Sequence, residues 1–167
     1  MNSSVILQKL KAPFEEKEVH WRVGATNAKS LGCKPWEATS GIALAYINAR
    51  DVMKRLDDVV GIGGWSDSYT ETQSGRVICK LSLHIHGEWI TKSDGAGDTG
   101  KEGEKGAISD AFKRAAVKFG VGRYLYYLPI IWTDLKNGTI INATRMPSWA
   151  LPQQKSLIIL ESINKGE

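Results

Sequence analysis

From residue 77 to residue 86 the chain reads with a period of two. Val77, Cys79, Leu81, Leu83 and Ile85 fall on one face, and Lys80, Ser82, His84 and His86 fall on the other. That pattern defines a half-buried antiparallel strand. Ser74-Gly75 supplies a hairpin turn before it and Gly87 turns the chain after it, so residues 65–72 and 89–94 become its neighbours. The period then changes. Over residues 105–119, Ile108, Phe112, Ala115 and Phe119 recur at offsets of four, three and four, the stripe of an amphipathic helix. Three consecutive strands followed by a helix predict an α+β fold, an antiparallel β-meander packed against a helix, rather than alternating βαβ units.

That helix is basic. Between residues 100 and 129, Lys101, Lys105, Lys113, Arg114, Lys118 and Arg123 oppose Glu102, Glu104 and Asp110, a surplus of three in a chain whose net charge is +4. Several cations on one contiguous surface are what a polyanionic backbone requires. Asp110 lies three and four residues before Lys113 and Arg114, where it can order both side chains. The exit is aromatic: Arg123, Tyr124, Tyr126 and Tyr127 follow Gly120 and Gly122. Such residues stack on nucleobases at about 1–3 kcal/mol each. Burial of Tyr124 and Tyr126 on one face of an extended segment is the competing expectation.

The flanks carry further elements. Residues 4–10 form a short helix that ends before Pro13, and Val19, Trp21 and Val23 alternate with His20 and Arg22 as a strand. Residues 24–41 have weak local preference and read as a mobile connection. Ile42, Leu44 and Tyr46 give a second strand, after which Asn48 caps a helix carrying Val52, Leu56 and Val59 and stopped by Gly61. A hairpin turns at Asn137-Gly138, and residues 152–163 read as a final helix with Leu157, Leu160 and Ile163 in line. With 167 residues and 42% hydrophobic content, one domain is expected over residues 1–167.

Composition narrows the chemistry. Cys33 and Cys79 have neither zinc-finger nor CxxC spacing, and no run approaches a membrane span, so a soluble, cytoplasmic protein is expected. Residues 95–102, GAGDTGKE, nearly make a phosphate loop, but Glu102 stands where a Ser or Thr hydroxyl should hold magnesium. A flexible loop with Thr99 and Glu102 as a capping box is the better reading. His84 and His86 on one strand face, with His20 as a third ligand, define an alternative: a metal-dependent nuclease. No carboxylate or cysteine at ligand spacing accompanies them, so no metal or cofactor is expected. No nucleophile elbow or paired-carboxylate signature is present either.

Taken in order, Tyr46-Ile47-Asn48-Ala49-Arg50, Gly64-Trp65, Val77-Ile78-Cys79, Trp89-Ile90 with Asp94-Gly95, Ser109-Asp110-Ala111-Phe112-Lys113-Arg114-Ala115 and Phe119-Gly120 resemble the annealing domain of the Rad-fifty-two superfamily. The resemblance covers about residues 42–129 and is closest to compact phage and prophage members. It implies a β-β-β-α core, a homo-oligomeric ring and an outer groove that holds single-stranded DNA by its backbone with bases exposed. It implies annealing in recombination and double-strand-break repair without ATP or a catalytic metal. Lys113 and Arg114 match the family's groove pair, and Lys105 matches a basic position before them. Asp51 falls where eukaryotic members carry a base, leaving Arg50 beside it as the candidate; Val117 falls on the later basic position, with Lys118 adjacent. Lys101 and Arg123 extend the track. A single-strand-binding protein or an exonuclease is a further candidate partner, and a single-strand-binding module that does not anneal is a further alternative.

Overall fold

The computed structural model describes residues 3–97, 103–142 and 144–153. The meander is present as expected: β3 (Trp65–Glu71), β4 (Val77–Ile85) and β5 (Glu88–Ala96) pair antiparallel in that order, and α4 (Gly103–Val117) follows. β4 is central, so its apolar face is sealed: Cys79, Leu81 and Leu83 have no exposed surface. α4 covers that face with Ala111, Phe112, Ala115 and Ala116, all buried. Three alanines let the helix come close to the sheet while Phe112 fills the remaining space against the Trp65 ring, 5.9 Å away centroid to centroid.

A second sheet runs β1 (His20–Thr26), β2 (Ser40–Tyr46), β6 (Ile131–Lys136) and the short β7 (Thr139–Ile140), also antiparallel. Between the sheets in sequence lies α3 (Ala49–Val60). It starts as Asn48 takes an extended conformation and its N–H donates to the Asp51 carboxylate at 3.2 Å, and it stops at Gly61. Val52, Leu56 and Val59 point into the main core. α1 (Ser3–Lys11) joins the same core through Ile6 and Leu10, with Phe14 just beyond it. Arg55 of α3 fixes that junction. Its guanidinium lies over the Phe14 ring and donates to the carbonyls of Lys9, Ala12 and Pro13 at 3.1, 2.6 and 3.3 Å.

Three expectations change. Residues 24–41 are organised rather than a mobile connection. They hold α2 (Ala28–Leu31) and a turn of 3-10 helix at Pro35–Glu37. The Asn27 amide ties them together, donating to Thr39 Oγ1 and accepting the N–H groups of Thr39 and Ser40. Residues 123–127 are a 3-10 turn, not an extended segment, so Tyr124 and Tyr126 part company: Tyr124 packs on the core while Tyr126 and Tyr127 are exposed. The Tyr124 hydroxyl accepts the Phe14 N–H at 3.0 Å. His86 leaves the strand, because it and Gly87 form the two-residue turn between β4 and β5, both at positive φ. The antiparallel β5 precedes α4, which is not the parallel strand a phosphate loop follows. Of that loop-like stretch, residues 98–102 lie outside the described residues, and so do Lys101, the Thr99/Glu102 capping box and residues 154–163 of the expected last helix.

Candidate nucleic-acid interface

The second sheet and α4 face one another across a groove of about 700 Å³. On the sheet side, Arg22 is paired directly with Leu44, and Ile42 and Tyr46 stand on the same face two residues to either side. On the other side are Asp110, Lys113 and Arg114 of α4, together with Arg76 and Gly95–Gly97 at the end of the meander. The groove therefore has a sheet wall that is apolar except for Arg22 and a facing wall that is cationic.

Helix geometry puts Lys113 and Arg114 here. The buried stripe of α4 takes Phe112, Ala115 and Ala116, leaving the two consecutive cations on its outward flank. Lys113 Nζ sits 2.9 Å from Asp110 Oδ1 and 5.8 Å from the centre of the Tyr46 ring, with its side chain 26% exposed. Arg114 is half exposed, and its Nε donates to Asp94 Oδ1 at 3.2 Å. Lys118, one turn on, lies 3.5 Å from the other Asp94 oxygen and donates to the Ser93 carbonyl. Burial alone would push the Asp94 carboxyl up. The Gly95 N–H, Arg114 and Lys118 outweigh it and hold the group below the usual carboxylate range. Each pair keeps one partner substantially in solvent, where ion pairs are worth about 0–1 kcal/mol, so each cation can exchange its carboxylate for another anion at small cost.

The other residues singled out from sequence divide. Lys105 falls in the first turn of α4. Arg50 is exposed at the start of α3 and away from the groove lining. Arg123 is committed elsewhere: its guanidinium donates to the Val117 carbonyl at 2.9 and 2.7 Å and to that of Lys118 at 2.8 Å, closing the C-terminal end of α4. Tyr126 lines the groove, while Tyr124 does not. Arg22 and Arg76 were not singled out in the sequence, because each is an isolated cation, Arg22 on β1 and Arg76 in the turn just before β4. Only the packing of two sheets brings them to α4. As for the histidines, His84 stacks on Trp89 at 5.2 Å, His20 shares a 2.7 Å contact with the Asn48 amide, and His86 is in its turn. Among the described residues, no three His, Cys, Asp or Glu side chains gather as a metal site.

The chain that forms this groove has clear relatives. Residues 2–140 match the Rad52/22 family of double-strand break repair proteins. The chain belongs to that family. It is 34% identical over 160 residues to the single-stranded DNA-binding protein DdrA of Deinococcus radiodurans, covering 93% of this chain and 72% of that protein. The DdrA of Deinococcus deserti is likewise 34% identical, over 161 residues, with 93% and 74% covered. No solved structure matches the chain. The Rad52/22 match begins far upstream of residue 42, consistent with α1 belonging to the main core. Among the described residues, no helix is long and apolar enough to cross a membrane.

Proposed function

We propose that this protein binds single-stranded DNA in the groove between the second sheet and α4, and anneals complementary strands in recombination and double-strand-break repair. The observation that carries the reading is the convergence of cations: Lys113 and Arg114 side by side on α4, Arg76 at the end of the meander and Arg22 on the sheet, all lining one groove. Membership of the Rad52/22 family and the two DdrA relatives, named for single-stranded DNA binding, support the same conclusion.

The mechanism is positional. Lys113 and Arg114 take phosphates in place of Asp110 and Asp94. Lys118 and Arg50 would extend the positive track beyond the groove lining, and Lys105 and Lys101 are further candidates for phosphate contact. Neutralising the backbone lowers the repulsion between two strands, so a second strand can sample registers against the first until one zippers. No step calls for ATP, a metal or a covalent intermediate. A ring of copies would align the grooves into one path, and the whole chain would act as a single annealing domain.

The test is annealing of complementary oligonucleotides without ATP, read by fluorescence, alongside binding of one strand over a salt series. Wild-type protein should anneal, and its affinity should fall with salt at a log-log slope of about −0.7 per phosphate contacted. Lys113→Ala with Arg114→Ala should abolish annealing and flatten that slope by about 1.4, two contacts' worth. A folded double variant that anneals at the wild-type rate rejects the site. Mass in solution, with and without an oligonucleotide, tests the ring.

A further inference from the structure

The apolar wall of the groove does not end with β2. Ile42 is paired directly with Trp132 of β6, so the two side chains stand on the same side of the sheet as Leu44. Trp132 is 56% exposed and Leu44 40% exposed. No ring or cation of a described residue stacks on the Trp132 indole. An apolar strip this open, on a face that already lines a groove, marks a contact surface.

Its surroundings indicate what it contacts. Beside Trp132 is a second cleft, of about 300 Å³, walled by Thr133, Asp134, Asn142, Thr144 and Arg145. The carboxylate in that cleft, Asp134, accepts the Asn142 amide at 2.8 Å. Arg145 is exposed and in no ion pair with a described residue. Cations thus border the strip at both ends, Arg145 next to Trp132 and Arg22 across from Leu44, with Lys113 and Arg114 on the facing wall. The complement of an indole flanked by guanidinium, hydroxyl and amide groups is a nucleotide: base face on the ring, base edge to the polar groups, phosphate to the arginine.

We propose that Trp132, continued by Ile42 and Leu44, is a nucleobase-stacking platform. A single strand held by its phosphates on α4 keeps its bases open to a second strand along the groove, and Trp132 stacks the one base at the end of the groove. This rests on the groove reading given above and adds a second, base-dependent component to a backbone-dependent one.

The two components separate in one experiment. Wild-type protein, Trp132→Ala and Trp132→Phe are titrated with a dT oligonucleotide and with an abasic oligonucleotide of the same length and charge. The wild type should prefer dT by at least about fivefold, the lower end for one stacked base. Trp132→Ala should bind both alike, at the wild-type abasic affinity, and Trp132→Phe should restore the preference. Equal binding of both by the wild type, a result that needs no variant, overturns the platform and leaves the phosphate groove intact. A preference that survives in Trp132→Ala does the same. Should Trp132→Ala lose mass in solution and weaken toward both oligonucleotides together, the strip is a contact between copies and the platform is overturned. Failure of the wild type to bind either one overturns the groove and the platform together.

Discussion

The two sheets of this molecule are built from similar lengths of strand but differ in what lies beneath them. The meander β3–β5 presses one face onto α4 and α3, and β4 gives Cys79, Leu81 and Leu83 wholly to the core. The β1–β2–β6–β7 sheet has a much smaller cluster of its own, Ala28, Ala38 and Leu135. Its other face leaves Leu44 and Trp132 in solvent. One sheet spends its apolar side chains on folding and the other keeps them available for contact. Side chains of the same chemistry should therefore have different consequences when removed from the two.

The largest effect expected on stability is at the centre of the meander. Leu81→Ala leaves a cavity with no route to collapse, and should cost about 2–5 kcal/mol in urea unfolding. Leu135→Ala, in the small cluster, should fall at or below the bottom of that range, because the cluster holds only two other buried residues, both alanines, and is otherwise bounded by the partly exposed Val23, Cys33 and Ile140. Equal losses at the two sites would break the contrast between the sheets.

Smaller effects sharpen it. Asp94→Asn removes a carboxylate beside the groove cation Arg114 and its neighbour Lys118 and should tighten single-strand binding by a few-fold at low salt, a gain that shrinks as salt rises. Weaker binding in that variant would mean that Asp94 aims Arg114 rather than competing with phosphate. The same residue sets a sign for acid. Its carboxyl is held below its ordinary value, so its contribution to stability is present above the ordinary carboxylate range and disappears as pH falls through the lowered value. Urea midpoints measured down the acid limb should lose that step in Asp94→Asn. The smallest effect is at Lys54→Ala: the 2.6 Å pair with Asp58 is exposed on both sides, and the urea midpoint should not move measurably.

What was legible in the sequence follows the same division. Residues 77–85 announced their faces because one face is buried from Val77 to Leu83, and a slip of one residue would turn every apolar side chain outward. The α4 stripe and the Lys113-Arg114 pair were readable for the related reason that helical spacing fixes which residues share a side. Residues 24–41 were not, since what organises them is Asn27 reaching twelve and thirteen residues ahead, and no local period encodes that. Tyr124 was unreadable in the same way: its partner, Phe14, is 110 residues earlier. Arg22 and Arg76 carried no signal as isolated cations, and Arg123 carried a divided one, because a cation just past a helix can serve the helix end as readily as a ligand.

The Arg55 junction sets a lower bound on what can be excised. Burial lowers the pKa of this guanidinium, and three main-chain oxygens from the first thirteen residues compensate its lost hydration. A fragment cut to the meander and its flanking helices would strand that cation against apolar neighbours with nothing to accept its protons. The minimal autonomous unit therefore reaches back to α1, and a fusion partner is better joined ahead of residue 3 than grafted in its place.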